Sequence, residues 1–167
     1  MNLKFLKSVF RYNKDLEIID YDFYKGIEIF HNLTNNEILK INDMIIHKTY
    51  KKDEVIFHEN HPHVVLYIIK SGMVKLFLKH HEEDITITDL GAKKHFGEIG
   101  LFIEMNRMSS AIATEDTVLL VIKKSDFRQF VKSYPATGIK LLVNLGKAIS
   151  NDLVHSYSLI RKNETKQ

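Results

Sequence analysis

The chain has 167 residues, of which 44% are hydrophobic, which suffices for one domain of ordinary size with its own core. Its formal net charge of +3 comes from 24 basic and 21 acidic residues that are interspersed, so nothing in the charge indicates nucleic-acid binding. The absence of cysteine excludes a disulfide scaffold and a thiolate metal site. No apolar run is long enough to span a membrane and no secretory core is present, so we expect a cytoplasmic protein without membrane contacts.

The pattern over residues 1–44 predicts helices. Leu3, Leu6 and Phe10 share one face of an N-terminal helix, which we expect to pack on the rest of the protein or on a second copy. Docking of this helix to an anionic membrane is the alternative. Further on, Thr34 and Glu37 form a capping-box pattern, and three isoleucines follow at helical spacing: Ile38, Ile41 and Ile45.

From residue 45 to residue 124 the hydrophobic period changes to two, which predicts short β-strands. Aliphatic residues alternate along residues 74–79 and 85–88, with a polar hairpin connection over residues 80–84 between them. A continuous apolar run over residues 118–122 closes this region. The strands and their turns together indicate a β-roll or sandwich.

Three histidines in the strand region, His58, His61 and His63, form an H-x-x-H-x-H pattern. Imidazoles at this spacing can coordinate zinc or iron, which makes a cupin-like metalloenzyme one alternative function. No further ligand follows within residues 64–67, and Asn60 and Pro62 indicate a turn, so we expect solvated histidines and no metal site. The same surface location is expected of His80, His81 and His95.

The segment 96–113 combines a tight turn, an acid and an arginine. It begins Phe96-Gly97-Glu98-Ile99-Gly100-Leu101 and ends Arg107-Met108-Ser109-Ser110-Ala111-Ile112-Ala113. The Glu98 carboxylate can accept hydrogen bonds from a sugar hydroxyl, and the Arg107 guanidinium matches phosphate oxygens in a bidentate fork. The turn at Gly97 predicts the start of a short helix whose free N–H groups face an anion. A small phosphorylated nucleoside would suit this combination.

Residues 125–167 are again helical in pattern. Pro135 marks the first turn of a last helix of about 25 residues, longer than one small barrel can cover. Its apolar and small residues recur at spacings of three and four, which predicts a heptad seam and a homodimer through this helix. The alternatives are a distal half that folds over the mouth of the ligand site and a helix laid along its own barrel. The predicted seam consists of Ile139, Leu142, Gly146, Ile149, Leu153, Ser156 and Ile160.

The segment 96–113 resembles the phosphate-binding cassette of the cyclic-nucleotide-binding domain. This sensor is shared by catabolite-activator transcription factors, the regulatory subunit of cyclic-AMP-dependent kinase and certain ion channels. The family pattern is approximately F-G-E-aliphatic-small-L, a variable loop, and R-x-small-[ST]-small-x-A. The likeness extends from about Ile29 to about Leu153, and residues 66–76 are close to the family stretch Y-x-I-x-x-G-x-V.

The resemblance implies a mainly β fold with flanking helices. The expected architecture is an eight-stranded antiparallel β-roll, a double-stranded β-helix of jelly-roll type, with N-terminal helices and a long C-terminal helix. It would form one domain over residues 1–167, divided into a helical segment (1–44), the β-roll (45–124) with the cassette (96–113), and C-terminal helices (125–167).

The resemblance also implies which residues bind a ligand. Glu98 would bind the ribose 2′-hydroxyl and Arg107 the cyclic phosphate, with backbone amides near Gly97, Glu98 and Ser109 completing the site. The predicted ligand-binding residues are therefore Gly97, Glu98, Ile99, Arg107, Met108 and Ser109. The candidates for contacts with the base are Tyr134, Tyr157, Asn144, Lys147, Asn151 and His155.

The function implied is that of a stand-alone sensor, not an enzyme, that passes a signal through its C-terminal helices to a partner protein. Cyclic AMP is expected to be preferred to cyclic GMP, because the Met108 side chain cannot donate a hydrogen bond to guanine. Related transcription factors carry a helix-turn-helix after the long helix, and only residues 161–167 follow here, so no direct DNA reading is expected. The alternative is a degenerate member that binds no nucleotide and serves as a protein-interaction module.

The sequence departs from the family pattern at several turns. Asp53, Asn60 and Lys93 stand where turn glycines are usual, and lysine tolerates a left-handed backbone poorly, so we expect a reshaped turn at Lys93. Asn106 replaces a frequent proline, which predicts a less rigid loop before Arg107.

Overall fold

The computed structural model describes residues 19–80 and 83–164, with side chains described as far as residue 161. The predicted apolar face at Leu3, Leu6 and Phe10, and the position of His81, lie outside these residues. Among the described residues, no helix is both long and apolar enough to cross a membrane.

The described part of the chain begins with two short helices, α1 (Tyr21–Lys25) and α2 (Asn35–Asn42), with a 3-10 turn (Glu28–Phe30) between them. The predicted capping box begins α2: the Thr34 N–H donates to Glu37 Oε2 at 2.8 Å, and the Glu37 N–H donates to Thr34 Oγ1 at 3.3 Å. Ile38, Ile41 and Ile45 are all buried, as their helical spacing predicted.

Eight antiparallel strands within the described residues form two four-stranded sheets, which confirms the predicted β-roll. One sheet has the order β1-β8-β3-β6 and the other β2-β7-β4-β5. The strands are β1 (Ile46–Tyr50), β2 (Val55–Phe57), β3 (Val65–Ser71), β4 (Val74–His80), β5 (Glu83–Leu90), β6 (His95–Phe96), β7 (Ser110–Ala113) and β8 (Thr117–Lys123). A four-residue helix, α3 (Ile99–Phe102), lies between β6 and β7.

Strand β3 is buried on both faces and divides the core in two. Leu66 and Ile68 face the helices and pack with α2 residues in the larger cluster. Tyr67 and Ile69 point the other way, into the space between the two sheets. This two-sided burial explains why the β3 sequence is continuously apolar instead of alternating.

A β-bulge in β5 interrupts its pairing with β4. Leu76 pairs with Thr88 and Phe77 with Thr86, so Ile87 is the extra residue of β5. Strand β4 keeps its period of two: Leu76 and Leu78 line the same cavity, whereas Phe77 is buried on the opposite face. The alternation expected along residues 74–79 therefore holds.

The turns at the three positions that lack a family glycine are all left-handed. The φ angles are 66° at Asp53, 66° at Asn60 and 70° at Lys93. The expected reshaping of the Lys93 turn is wrong: the Lys93 N–H donates to Ile69 O at 2.8 Å and the Ile69 N–H donates to Lys94 O at 2.9 Å. These bonds to β3 hold the backbone in a conformation that lysine alone disfavours.

Two helices end the described chain, α4 (Lys124–Ser133) and α5 (Pro135–Glu164), and α5 begins at the predicted proline. The buried face of α5 includes Leu141, Leu145 and Ala148. The predicted seam is only partly right, because Leu142 packs against the core and Ser156 lines a cavity. The exposed apolar stripe instead follows Ile139, Val143, Leu153, Tyr157 and Ile160.

Candidate functional site

A tight turn at Gly97 joins β6 to α3 and brings the backbone close to Arg107. Gly97 has φ +82°, a conformation that side chains other than glycine rarely adopt. A carbon added at its Cα would lie 2.7 Å from Val65 O and 2.8 Å from Arg107 Nη1. Glycine is therefore required at this position both by the left-handed turn and by the space that the guanidinium occupies.

Arg107 is a buried cation with part of its hydrogen-bonding capacity unused. Its side chain lies on aromatic rings, with Cζ 3.8 Å from the Phe57 centroid and 5.3 Å from the Tyr67 centroid. Nη2 donates to Val65 O at 3.2 Å, whereas Nε and Nη1 have no hydrogen-bond partner among the described residues. Burial lowers the pKa of Arg107, but arginine stays protonated in proteins, so a desolvated positive charge remains here.

The loop that carries Arg107 is fixed to the turn after β2. The Arg107 N–H donates to His61 O at 2.8 Å, and Arg107 O accepts from the Asn60 N–H at 2.9 Å. Pro62 and Asn106 form an isolated antiparallel bridge beside these bonds. The loop is thus held by strand-like pairing, which replaces the rigidity that a proline at Asn106 would give.

A cavity of about 520 Å³ opens in front of Arg107. All six predicted ligand-binding residues line it, so the structure brings the whole predicted set together, although their role stays a prediction. Glu98 is half-buried and Met108 is 60% exposed at its edge. Other wall residues come from the strands and from α5: Phe57, Leu76, Leu78, Ile87, Leu90, Asp152, His155, Ser156 and Leu159.

The cavity therefore offers three chemically different surfaces. Arg107 presents unpaired N–H groups for an anion, Glu98 presents a carboxylate for hydroxyl groups, and the strands present an aliphatic wall. A volume of about 520 Å³ lies within the usual range for small-ligand sites. A ligand with an anionic end, a hydroxyl group and a flat apolar part matches this arrangement.

Comparison with known proteins agrees with this description. The family model described as "Cyclic nucleotide-binding domain" matches residues 47–134, which is more than half of the chain. The chain belongs to the cyclic nucleotide-binding domain family. This membership confirms the resemblance inferred from the cassette, and because the family is regulatory, it also confirms that the domain is not an enzyme.

Individual relatives of this cyclic nucleotide-binding domain include a receptor protein for cyclic AMP and a regulatory subunit of a protein kinase. The "Cyclic AMP receptor protein" of Thermus thermophilus is 30% identical over 126 residues, covering 75% of this chain and 58% of the relative. The type II regulatory subunit of cAMP-dependent protein kinase from Drosophila melanogaster is 28% identical over 115 residues, covering 69% of this chain and 29% of the relative. The chain thus spans less than two thirds of the length of either relative.

A solved structure supports the fold of the cyclic nucleotide-binding domain. The crystal structure of Thermus thermophilus catabolite activator protein superposes with a TM-score of 0.73 at 27% identity. The match covers 82% of this chain and 63% of the other. The shared fold therefore extends over most of this chain.

The base-contact candidates of this cyclic nucleotide-binding domain divide into different places. Asn144 is buried and donates to His31 O at 2.8 Å, so its prediction as a base contact is wrong. Among the six candidates, His155 alone lines the cavity. Tyr157 and Lys147 are exposed to solvent. The Asn151 side chain donates to Glu28 Oε1, and the Tyr134 ring lies under the Lys40 ammonium group. Asp152, Ser156 and Leu159 were missed, although with His155 they recur at helical spacing on one face of α5.

The three histidines of the H-x-x-H-x-H pattern do not share one environment. His58 and His61 are exposed, with ring centroids 5.4 Å apart, whereas His63 is 8% exposed beside Arg107. The expectation of a solvated His63 is therefore wrong, because α3 packs over the ring just before β3 begins at Val65. No cluster of three or more potential metal ligands occurs among the described residues.

His95 is half-buried in the cavity wall, not at the surface as predicted. It is the first residue of β6 and lines the same cavity as Glu98 and Asp152. Burial lowers the pKa of His95, while the nearby carboxylates of Glu98, Glu28 and Asp152 act in the opposite direction. The cavity thus holds titratable groups of both signs.

A second cavity, of about 740 Å³, lies behind the Arg107 loop. Two of its cations already have partners: Lys124 Nζ donates to Ile103 O at 3.2 Å, and Arg128 Nη2 lies 3.8 Å from Glu104 Oε1. The two cavities share one lining residue, His63. The unpaired donors of Arg107 face only the smaller cavity, which is therefore the better anion site.

Proposed function

We propose that this regulatory domain binds a cyclic nucleotide in the 520 Å³ cavity, with the cyclic phosphate at Arg107 and the ribose at Glu98. The observation that carries the proposal is the buried Arg107 side chain, 4% exposed, whose Nε and Nη1 lack a partner among the described residues. Each unpaired buried donor costs about 1–3 kcal/mol. A phosphate against the guanidinium would accept a charge-assisted hydrogen bond from an unpaired N–H group and restore part of the lost interaction.

The opposite charges of Arg107 and Glu98 favour a ligand with one charged end. Glu98 accepts hydrogen bonds and would repel a second phosphate group, whereas it suits a ribose hydroxyl. A ligand with one negative charge pairs with Arg107, and its hydroxyl group donates a hydrogen bond to Glu98. A cyclic nucleotide, which combines one phosphodiester charge with a free 2′-hydroxyl, meets this requirement.

The base would lie against the aliphatic part of the wall, near Leu76, Leu78 and Leu90. Met108 at the edge has a thioether, which is a weak acceptor and no donor. Guanine would therefore gain no hydrogen bond to its O6 or N7 atoms from this side chain. On this basis cyclic AMP binds more tightly than cyclic GMP.

The signal would leave the domain through α5. Beyond Ala148 most described α5 residues are exposed, and four residues of this distal part line the cavity: Asp152, His155, Ser156 and Leu159. A ligand that contacts them stabilises one position of the distal helix over others, which shifts its population. A partner protein that contacts α5 would respond to that shift.

Calorimetric titration with cyclic AMP tests the proposal. Arg107→Ala should weaken binding by about 100-fold or more, because the charge-assisted hydrogen bonding to the phosphate is lost. Arg128→Ala is the matched control: it removes one arginine charge from the neighbouring cavity and should leave the affinity unchanged. Cyclic GMP should bind more weakly than cyclic AMP to the parent.

The same titration separates the alternatives. No heat of binding from either nucleotide with the folded parent protein would favour a degenerate domain that acts as a protein-interaction module. Binding that is equally tight in the parent and in Arg107→Ala would show that the nucleotide occupies another site.

The role of Glu98 has its own test, Glu98→Gln titrated with cyclic AMP and with its 2′-deoxy analogue. The parent should bind the deoxy analogue about tenfold more weakly, the usual scale for one charge-assisted hydrogen bond. The variant should discriminate less between the two ligands. Equal discrimination by both proteins would remove Glu98 from the 2′-hydroxyl.

A further inference from the structure

His63 lies between α3 and the Arg107 loop with no hydrogen bond to either ring nitrogen. It is 8% exposed, and neither Nδ1 nor Nε2 has a partner among the described residues. The ring packs under α3, since a carbon added at Gly100 would lie 2.5 Å from His63 Cδ2. A small aliphatic residue would fill this space without leaving buried polar atoms unpaired, so packing alone does not account for an imidazole.

The Nε2 atom of His63 faces the same point as the unpaired nitrogen of Arg107. A carbon added at Gly97 would lie 2.8 Å from Arg107 Nη1 and 3.6 Å from His63 Nε2. Both side chains line the cavity that contains Glu98. Two buried, unpaired nitrogen groups from different elements therefore converge beside the turn that precedes α3.

The charges around His63 are mostly positive. Arg107 comes from the loop before β7, and Lys124 begins α4. Burial lowers the pKa of His63 and these two cations lower it further, whereas the nearby Gly97 backbone acts in the opposite direction. The other titratable or charged residues that line the two cavities next to the ring are Glu98, His95, Asp152, His155, Glu104, Lys123 and Arg128.

We propose that His63 is a second side-chain donor to the phosphate held by Arg107, and that it takes up a proton when this anion binds. The inference rests on the proposed function, since it assigns a further residue to the same phosphate. Without an anion, a charged imidazole beside Arg107 and Lys124 is unfavourable. A phosphodiester charge placed between Arg107 and His63 reverses that balance and pairs the Nε2–H group.

The sign of the expected pH dependence follows from this coupling. His63 has a higher pKa in the ligand-bound protein than in the free protein, so binding is accompanied by proton uptake between the two pKa values. The affinity therefore increases as the pH falls through that range. A phosphodiester does not titrate near neutral pH, so the effect belongs to the protein.

The test is calorimetric titration of the full chain with cyclic AMP from about pH 8 to about pH 5.5, in two buffers of different ionisation enthalpy. The parent should bind about tenfold more tightly at the low end, with fractional proton uptake. His63→Gln keeps an N–H donor that does not titrate, so its affinity should be close to the parent's at high pH and independent of pH. His63→Ala should be weaker by about tenfold and also independent of pH.

His95→Asn is the matched control, because His95 lines the same cavity and burial likewise lowers its pKa. It should keep the pH dependence of the parent. If the dependence persists in His63→Gln and disappears in His95→Asn, the proton belongs to His95 and the inference is overturned. If His63→Ala and His63→Gln both match the parent in affinity and pH profile, His63 does not contact the phosphate, while the proposed function stands.

A second measurement does not depend on the folding of the variants. The NMR titration of the histidine Cε1–H resonances of the parent, with and without cyclic AMP, reports each ring directly. The His63 pKa should rise on ligand binding by about one unit. An unchanged His63 pKa with saturating cyclic AMP would contradict the inference, whereas no binding at any pH would contradict the proposed function itself.

Discussion

The guanidinium of Arg107 is buried on the faces of Phe57 and Tyr67, where it has one hydrogen bond, to Val65 O at 3.2 Å. Contacts with aromatic faces stabilise a desolvated cation by about 2 kcal/mol. They do not replace the hydrogen bonds that Nε and Nη1 lack among the described residues. We therefore expect the buried Arg107 side chain to destabilise the ligand-free protein, while it keeps unpaired N–H groups in place for an anion.

This balance predicts an unusual phenotype for Arg107→Met. Methionine fills a similar volume without a buried charge, so the free energy of unfolding of the ligand-free protein should rise by about 1 kcal/mol. Binding of cyclic AMP should be lost in the same variant. Thermal and urea unfolding measure the first effect, and a variant less stable than the parent would show that the cation–π contacts outweigh the missing hydrogen bonds.

Lys93 is the residue whose backbone conformation is least favourable for its type, with φ 70°. Lys93→Gly should stabilise the protein by about 1 kcal/mol, because a left-handed backbone is strained for a side chain that cannot bond to its own turn. Asn60→Gly, at φ 66°, is the control and should have a smaller effect, since asparagine tolerates this region. Urea unfolding compares the two, and a destabilised Lys93→Gly would mean that its aliphatic stem, which packs near Gly26, contributes more than the strain removes.

At the residue scale, the sequence predicted the members of the cavity but not their environment. The motif carries Glu98 and Arg107, and a nine-residue separation cannot reveal that both line one cavity without the fold around them. His63 was predicted to be solvated because its neighbours Asn60 and Pro62 form a turn. Its burial depends on Gly100, which lacks a side chain at the point where α3 crosses the ring, and this long-range contact leaves no local signal.

At the level of whole elements, the Glu37 carboxylate links α2 to α5. Lys140 Nζ donates to both Glu37 carboxylate oxygens, at 2.9 Å and 3.0 Å, and the Thr137 hydroxyl donates to Oε1 at 3.3 Å. Burial raises the pKa of Glu37, but the hydrogen bonds from Lys140 and Thr34 outweigh it and lower the pKa to about 2. The capping box that starts α2 thus also anchors the first turns of α5.

This tie predicts a pH-dependent contribution to stability. Because the pKa of Glu37 falls from 4.5 to about 2 on folding, the contribution is complete above pH 4.5 and is lost as the pH falls toward 2. Lys140→Met should lower the free energy of unfolding by about 1 kcal/mol at neutral pH, since Lys140 is partly exposed and solvent screens the pair. The difference from the parent should shrink in acid. Lys147→Met, on the exposed part of α5, is the control, and equal losses in both variants would argue against the tie.

Element boundaries with a chemical signature were predictable, and those set by packing were not. Thr34, Glu37 and Pro135 mark helix starts in the sequence, and α2 and α5 begin there. The bulge at Ile87 of β5 has no comparable signature, because it arises from the pairing of β5 with β4. It shifts the register of β5, so the place of Ile87 in the cavity wall could not be assigned from alternation alone.

At the scale of the whole molecule, we propose that the chain forms one domain and that the exposed stripe of α5 joins two copies. Ile139, Val143, Leu153, Tyr157 and Ile160 are each at least 50% exposed and occupy positions of one heptad seam. Gly146 and Ser150 continue the stripe with small exposed residues that permit close approach. Apolar stripes of this length on a soluble helix are usually covered by a partner.

The Leu153→Glu, Ile160→Glu double variant tests this assembly. Like charges on both copies of the stripe should convert a dimer into monomers, which light scattering measures. Leu39→Glu is the control, because Leu39 is an exposed leucine of α2 outside the stripe and should leave the mass unchanged. A parent protein that stays monomeric at high concentration would assign the stripe to another partner.

The central claim, that the cavity between Arg107 and Glu98 holds a cyclic nucleotide, is tested most directly by a crystal structure of the full chain grown with saturating cyclic AMP. We expect electron density for the nucleotide, with its phosphate within hydrogen-bond distance of Arg107 Nε or Nη1 and its ribose 2′-hydroxyl at Glu98. Density for the nucleotide in the neighbouring cavity beside Arg128, or a cavity without nucleotide at saturating concentration, would contradict it.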